Sequence, residues 1–269
     1  MPTSPEPALP PAVADGDRLA SPPWVRRIHL SDVGVALRRG VDDFLALPTH
    51  SVPFGVFYAA AGLLLLAIAF DRALLPLIVP LVGGFALIGP FAAVGLYAAS
   101  RRREADLDIR WRDLLDGYRA PASGAVFGLG LVLAVLLVTW MAAAAALTHL
   151  LLGPLPADLG AAAHALFATP AGWTLMAVGG AIGLAFGTFA FAISVIAFPL
   201  ILDRQVDAIT AANASRRAVA ANPGPMAAWA GIVAGLLVLG ALPAMLGLVV
   251  VLPILGHATW HLYRRVIVD

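Results

Sequence analysis

The chain of 269 residues has no cysteine and no lysine, and charged residues make up only 12% of it. Without cysteine there is no disulfide, zinc–thiolate site, iron–sulfur cluster or thiol nucleophile. A soluble domain carries about 25% charged and about 45–50% apolar residues. Here 61% are hydrophobic and the mean hydropathy is +0.90, which excludes an ordinary soluble enzyme and a disordered chain. The net charge of +1 supplies no basic field for nucleic acid. Also missing are GxSxG, HExxH and a glycine-rich phosphate loop with its lysine, the local signatures of several enzyme classes. The composition is that of a polytopic membrane protein, and an enzymatic role is disfavoured.

What remains divides cleanly along the chain. Residues 1–23 hold seven of the 21 prolines and no apolar run. They read as a disordered, solvent-exposed tail rather than a secretory signal, which needs a positive start and an apolar stretch. Residues 24–48 read as an amphipathic helix on the cytoplasmic side. Val33, Leu37, Val41, Phe44 and Leu45 form its apolar stripe, with Arg38, Arg39, Asp42 and Asp43 away from it. Residues 49–269 form the transmembrane domain. A bilayer core of about 30 Å takes roughly 20 apolar residues per helix. On that ruler six spans fall at about 52–70, 74–100, 124–152, 173–202, 226–242 and 244–263, the last two a tight hairpin turning at Pro243. The expected fold is all-α, a six-helix transmembrane bundle with cytoplasmic amphipathic helices.

All seventeen cations are arginine. Sixteen precede the first span or follow an even-numbered one, and only Arg72 lies in a loop of the other parity. By the positive-inside rule both termini are cytoplasmic. The arginine-bearing loops are themselves patterned. In 104–119, Leu107, Trp111, Leu114, Leu115 and Tyr118 share a helical face; in 203–221, Val206, Ile209 and Val219 alternate with polar residues until Asn222-Pro223-Gly224-Pro225 ends the helix. Ala-Ser-Arg-Arg occurs at both 99–102 and 214–217, a hint of a hairpin repeat.

Chemistry has few places to sit. No Asp or Glu falls inside a span, whereas pumps and proton-coupled carriers carry one there. His257 and His261 are four residues apart, so a helix presents both imidazoles on one face. That pair could contribute to a metal site for zinc, copper, iron or nickel, with His50 as a third ligand. The alternative is interfacial anchoring, in which Trp260 and Tyr263 belong to the aromatic belt and Arg264 and Arg265 snorkel to the headgroups. Gly179, Gly183 and Gly187 make a smooth stripe for close helix approach. Pro199 is placed to break its span, and Asp203 with Arg204 could form an interfacial ion-pair cluster with Arg101–Arg103. In the simplest reading these residues pack, bend and orient the bundle.

Four stretches resemble a known family: SVPFGVFYAAAGLLL (51–65), GPFAAVGLYAASRRRE (89–104), FPLILDRQVDAITAANASRRAVAANPGPMAAW (198–229) and LPILGHATWHLYRR (252–265). They look like the domain of unknown function twenty-one eighty-nine, and the likeness runs from Leu47 to Arg265. The resemblance implies a multi-pass protein of the bacterial inner membrane. Some members are labelled cytochrome c oxidase subunits, which brings a respiratory complex forward as a partner beside the lipid bilayer. A catalytic oxidase subunit spreads histidines over several helices; here the only pair lies on one helix, so an accessory role is the better expectation. Three readings follow. The first is a non-enzymatic scaffold or accessory protein without a cofactor. The others are a passive transporter or channel for a small solute, and a haem- or copper-binding accessory protein using His257 and His261.

Overall fold

The computed structural model describes residues 24–69, 89–119, 121–154 and 158–268. The expected tail, 1–23, and much of the expected span 74–100 lie outside them. The described residues are helical apart from loops and one pair of two-residue strands. Their elements are β1 (Trp24–Val25), α1 (Leu30–Ala46), α2 (Pro48–Ala69), α3 (Val94–Glu104), a 3-10 helix (Trp111–Tyr118), α4 (Ser123–Leu152), α5 (Leu159–Phe167), α6 (Pro170–Ser194), α7 (Ala197–Arg204), α8 (Ala208–Ala221), α9 (Pro223–Ala241), α10 (Leu248–Val266) and β2 (Ile267–Val268).

Local chemistry explains most boundaries. At α1 the His29 amide donates to Asp32 at 2.8 Å, one arm of a capping box. Leu47 leaves helical geometry because Pro48 follows it, and Pro48 then opens α2, where its missing N–H costs nothing. The chain bends by 104° there, so α1 lies across α2. Asp207 caps α8 by accepting the amides of Ile209 and Thr210, each at 2.9 Å. The expected span 173–202 is interrupted between α6 and α7, since Pro199 has no amide to donate back along the helix. There Ser215 accepts the freed amide of Ile196 at 3.2 Å.

Three described helical stretches are long and apolar enough to cross a membrane: Ser123–Leu152, Pro170–Arg204 and Pro223–Ala241. The bent pair α1–α2 makes a possible fourth by length and composition. α9 and α10 are joined across residues 242–247, and of the two only α9 is long and apolar enough to count as a span. Gly240 and Gly247 meet so closely at the base of this connection that a Cβ on Gly247 would lie 2.8 Å from the Gly240 backbone.

Burial concentrates at one end of these helices. It takes in Val126, Leu129 and Leu133 near the start of α4, and Ile193 and Ser194 at the end of α6. Met226 and Trp229 at the start of α9 and the last turns of α10 complete it. Packed around this end are α1, α3, α7 and α8. Large apolar side chains such as Leu131, Val138, Leu184 and Val238 are exposed along the spans, which lipid tolerates because its tails are as apolar as leucine. α10 is the hub. α1 crosses it at Gly40, where a Cβ would sit 2.6 Å from the Ala258 amide nitrogen. α2 crosses it at Gly55, where one would sit 2.1 Å from the Val249 carbonyl oxygen.

Some expectations change here. The glycine stripe of α6 is not a continuous close contact: only Gly183 meets a neighbour tightly, with Trp140 3.0 Å from a built Cβ. Gly179 has ordinary spacing from Leu147, and a Cβ on Gly187 would meet nothing within 4 Å. The close crossings instead use glycines isolated in sequence. α8 buries Ala211, Ala214, Ser215 and Ala218 rather than Ile209, which is exposed. The stretch 104–119 is not one helix. Residues 107–110 are irregular and a 3-10 turn follows, so Leu114 is buried while Leu107, Trp111 and Leu115 are exposed.

The first and last described residues are tied together. Trp24 pairs with Val268 and Val25 with Ile267 in an antiparallel ladder. Asn222 reinforces it, accepting the Ile28 amide at 2.7 Å and donating to the Arg26 and Ala218 carbonyls at 3.0 Å each.

Candidate polar site at the packed end

Asp43 is the residue that the helical stripe misplaces. Expected on the polar side of α1, it is only 2% exposed. Its i−3 and i−7 neighbours Gly40 and Ala36 are buried too, so the face of α1 turned inward is built on small residues and ends in an acid. The hydrophobic count favoured Leu45, which is instead 68% exposed. Small side chains let α1 approach α10 closely, and the close approach brings the Asp43 carboxylate to α10 and α3.

A buried carboxylate needs donors, and Asp43 has them. Ser100 of α3 donates to Oδ2 at 2.5 Å, and His261 Nε2 lies 2.9 Å from the same oxygen. The Arg103 guanidinium pairs with Oδ1. The network continues inward, for Ser100 Oγ is also 2.7 Å from His257 Nδ1. On the ring's other side Nε2 is 2.8 Å from Ser51 Oγ of α2. Because the Ser100 proton goes to Asp43, His257 Nδ1–H donates to Ser100 and Ser51 donates to Nε2. One chain of hydrogen bonds thus joins α1, α2, α3 and α10. Burial opposes ionisation of Asp43, but the hydrogen bonds from His261 and Ser100 outweigh it, holding the carboxyl below its ordinary value.

His257 and His261 come together beside the Asp43 carboxylate. Both nitrogens of His257 are occupied by serines. His50, the suggested third ligand, is elsewhere, with its ring 5.1 Å from that of Trp111. Among the described residues no group of three or more His, Cys, Asp and Glu is arranged to hold a metal ion.

Nor do the aromatic residues of this segment form a lipid-facing belt. Trp260 and Tyr263 are each 1% exposed. Trp260 Nε1 donates to Glu104 at 3.0 Å and the Tyr263 hydroxyl to Asp203 at 2.6 Å. Arg264 lies 3.3 Å from Glu104 and 3.7 Å from Asp203. The suggested cluster of Asp203 and Arg204 with Arg101–Arg103 takes another form: Asp203 faces α10, and Arg101 donates to the Leu202 carbonyl at 2.5 Å. Arg204 closes α7. A second ion pair, Arg265 with Asp32, fixes the start of α1 to the end of α10.

Beside Asp43 opens a cleft of about 680 Å³. Arg39, Asp42, Leu45 and Ala46 of α1 line one side, and Arg103, Glu104, Asp106 and His261 line the rest. The signal that could have found this site was the pairing of a mid-helix acid with an i, i+4 histidine pair. A helical wheel of α1 alone hides it, since the partners lie more than 200 residues away.

Long apolar helices, small-residue crossings and polar groups satisfied inside the protein define a multi-pass α-helical membrane protein. Within that class, residues 78–203 match the model of the family DUF2189, described as a predicted integral membrane protein, and this is the family that the sequence resembles. The matched segment takes in the stretch 89–104 and the start of 198–229. No curated protein and no solved structure matches the chain.

Proposed function

We propose that this chain is a six-span protein of the bacterial inner membrane with both termini cytoplasmic, and that it serves as a non-enzymatic scaffold or accessory protein. The observation that carries the scaffold reading is the clasp around Asp43. Its carboxylate is satisfied by Ser100, His261 and Arg103, so its first effect is to hold α1 rigidly against α3 and α10. Satisfied buried networks of this kind rigidify and specify one arrangement. The clasp presents a fixed polar layer on which Trp111, Leu107, Leu115 and Ile209 stand exposed, a surface suited to lipid headgroups or a partner complex. Paired strands β1 and β2 put Trp24 and Val268 on one side, which supports an even number of crossings. The sixteen-to-one division of arginines assigns that side to the cytoplasm.

Affinity purification from native membranes tests the reading. A stoichiometric partner, lost when Trp111 and Leu115 are changed to serine, is the expected outcome. Recovery of the chain alone under gentle solubilisation would overturn it. A respiratory oxidase is the first partner to look for, given the label that some family members carry.

A further inference from the structure

The 3-10 helix between α3 and α4 runs down the side of α3, from the polar clasp toward the membrane. Near its start Asp113 lies 3.3 Å from Arg102, just past Ser100. At its end the Tyr118 hydroxyl donates to the Phe91 and Ala92 carbonyls at 2.8 and 3.2 Å, and Gly117 abuts Val94. From Arg102 back to Phe91 is roughly 16 Å at about 1.5 Å per helical residue. The Tyr118 ring also lies 6.3 Å from that of Phe127 in α4. α4 is a span of 30 residues, about 45 Å long, whereas a hydrocarbon core is about 30 Å thick. Its first turns, beside this arginine-bearing element, therefore reach into the headgroup layer. Phe127 and Leu131 of α4 are exposed, as are Trp111 and Leu115 of the 3-10 helix. Through the Tyr118–Phe127 contact, the apolar side of the element continues the lipid-facing surface of the span.

The charges of the element indicate which lipid. Asp113 is buried and already serves Arg102 and the Arg110 amide, the latter at 2.9 Å. Arg112 reaches it only at 3.7 Å. Arg119 folds back along the element, so that its guanidinium lies 3.5 Å from the Arg112 carbonyl oxygen. Both arginines are exposed. Among the described residues Arg119 pairs with no carboxylate, and neither Asp108 nor Asp116 forms an ion pair with either arginine. Two cations thus serve one edge with a single, distant and already shared carboxylate. Their repulsion is relieved when an anion lies between them, and the guanidinium fork matches phosphate oxygens.

We propose that this edge binds the phosphodiester of an anionic phospholipid. Arg112 and Arg119 donate to the phosphate, and Trp111 and Leu115 lie against the glycerol and the upper acyl chains. The inference rests on the membrane-spanning reading and not on the scaffold reading, since its test contains no other protein.

The chain has no cysteine, so an NBD fluorophore on Leu115→Cys is a unique reporter in the full chain. The labelled protein is placed in phosphatidylcholine nanodiscs containing a minor fraction of nitroxide-labelled phosphatidylcholine or phosphatidylglycerol. Both quenchers should reach the fluorophore. The phosphatidylglycerol should be about fivefold more effective, the worth of roughly one net arginine at an anionic surface. Arg112→Gln combined with Arg119→Gln, or high salt, should remove that preference. The same label on Val138→Cys, exposed along α4, should be quenched equally by the two lipids in both backgrounds, which shows that the spans remain inserted. Quenching at Val138→Cys without any at Leu115→Cys would give this face to water or to a protein partner and overturn the proposal. Equal quenching of Leu115→Cys by the two lipids would also overturn it, as would a preference that survives the double arginine variant.

Discussion

At the scale of single residues, Asp43 is held by three neighbours and should be the least replaceable polar side chain of α1. Asp43→Asn keeps the shape but cannot accept from Ser100, His261 and Arg103 as a carboxylate does. Breaking a buried charge pair by removing one partner typically costs about 3–5 kcal/mol, so the variant should unfold at a markedly lower temperature in a tryptophan-fluorescence melt. Ser100→Ala, which removes one donor, should cost less. Acid should imitate the first change. Asp43 and Asp32 both titrate below their ordinary value of 3.8 in the folded protein. At Asp32 the His29 amide is the main cause, with Arg265 adding to it against a burial penalty. A carboxyl whose folded value is depressed binds protons more readily when unfolded. Its contribution is therefore complete above 3.8 and disappears as the pH falls through the lower folded values. Melting temperatures of the wild type should drop steeply below pH 4, and Asp43→Asn should flatten part of that slope. A wild-type profile flat down to pH 3 would contradict the clasp. Asp43 also marks where reading by residue type stops. An aspartate on an arginine-bearing helix is normally solvated, and only the distant Ser100 and His261 make this one a core residue. The histidine spacing was legible; the identity of its partner was not.

Between elements the decisive contacts are made by glycines, and their importance does not follow from repetition. The three-glycine stripe of α6 is the visible pattern, yet Gly40 and Gly55 carry the close crossings. Periodicity reports which residues share a face, not whether another helix lies against that face at backbone distance. The contrast is testable. Gly40→Ala puts a methyl 2.6 Å from the Ala258 backbone, and relief requires separating α1 from α10, at a cost of about 1–3 kcal/mol for overpacking. Gly55→Ala, at 2.1 Å from the Val249 carbonyl, should be worse. Gly187→Ala meets nothing within 4 Å and should be neutral or stabilising by up to about 1 kcal/mol through helix propensity. If all three behaved alike in the same melt, the assigned crossings would be wrong. A smaller effect belongs to α8, whose first turn depends on Asp207. Its carboxyl lies below the ordinary range because Thr210 and Ile209 donate to it. Asp207→Ala should cost about 1 kcal/mol and speed amide exchange at Ile209 and Thr210 before it affects the spans.

For the whole molecule, the paired end strands turn topology into a constraint. β1 and β2 can form their ladder only if Trp24 and Val268 lie on the same side of the membrane. The described helices satisfy this in turn. α2 starts at the packed end through Ser51, and α3 stands there again through Ser100. α4 leaves through Val126 and α6 returns through Ser194; α9 leaves through Trp229 and α10 returns through His261. Among the described residues three helical stretches pass as spans by length and composition, and α10 does not, because its last turns are too polar. Its histidines, threonine and tyrosine are tolerated because α1, α3 and α7 cover them. Absence of cysteine makes the order directly measurable, since each introduced thiol is the only one in the chain. Arg27→Cys and Ile209→Cys, both exposed at the packed end, should react with an impermeant maleimide only from the cytoplasmic side. Leu150→Cys and Leu242→Cys, exposed at the far ends of α4 and α9, should react only from the opposite side. Labelling of Arg27→Cys and Leu242→Cys from one side would mean that the α9–α10 hairpin does not cross. The arginines of α10 would then no longer report orientation, and the even-crossing topology would have to be rebuilt with that hairpin lying at the membrane surface.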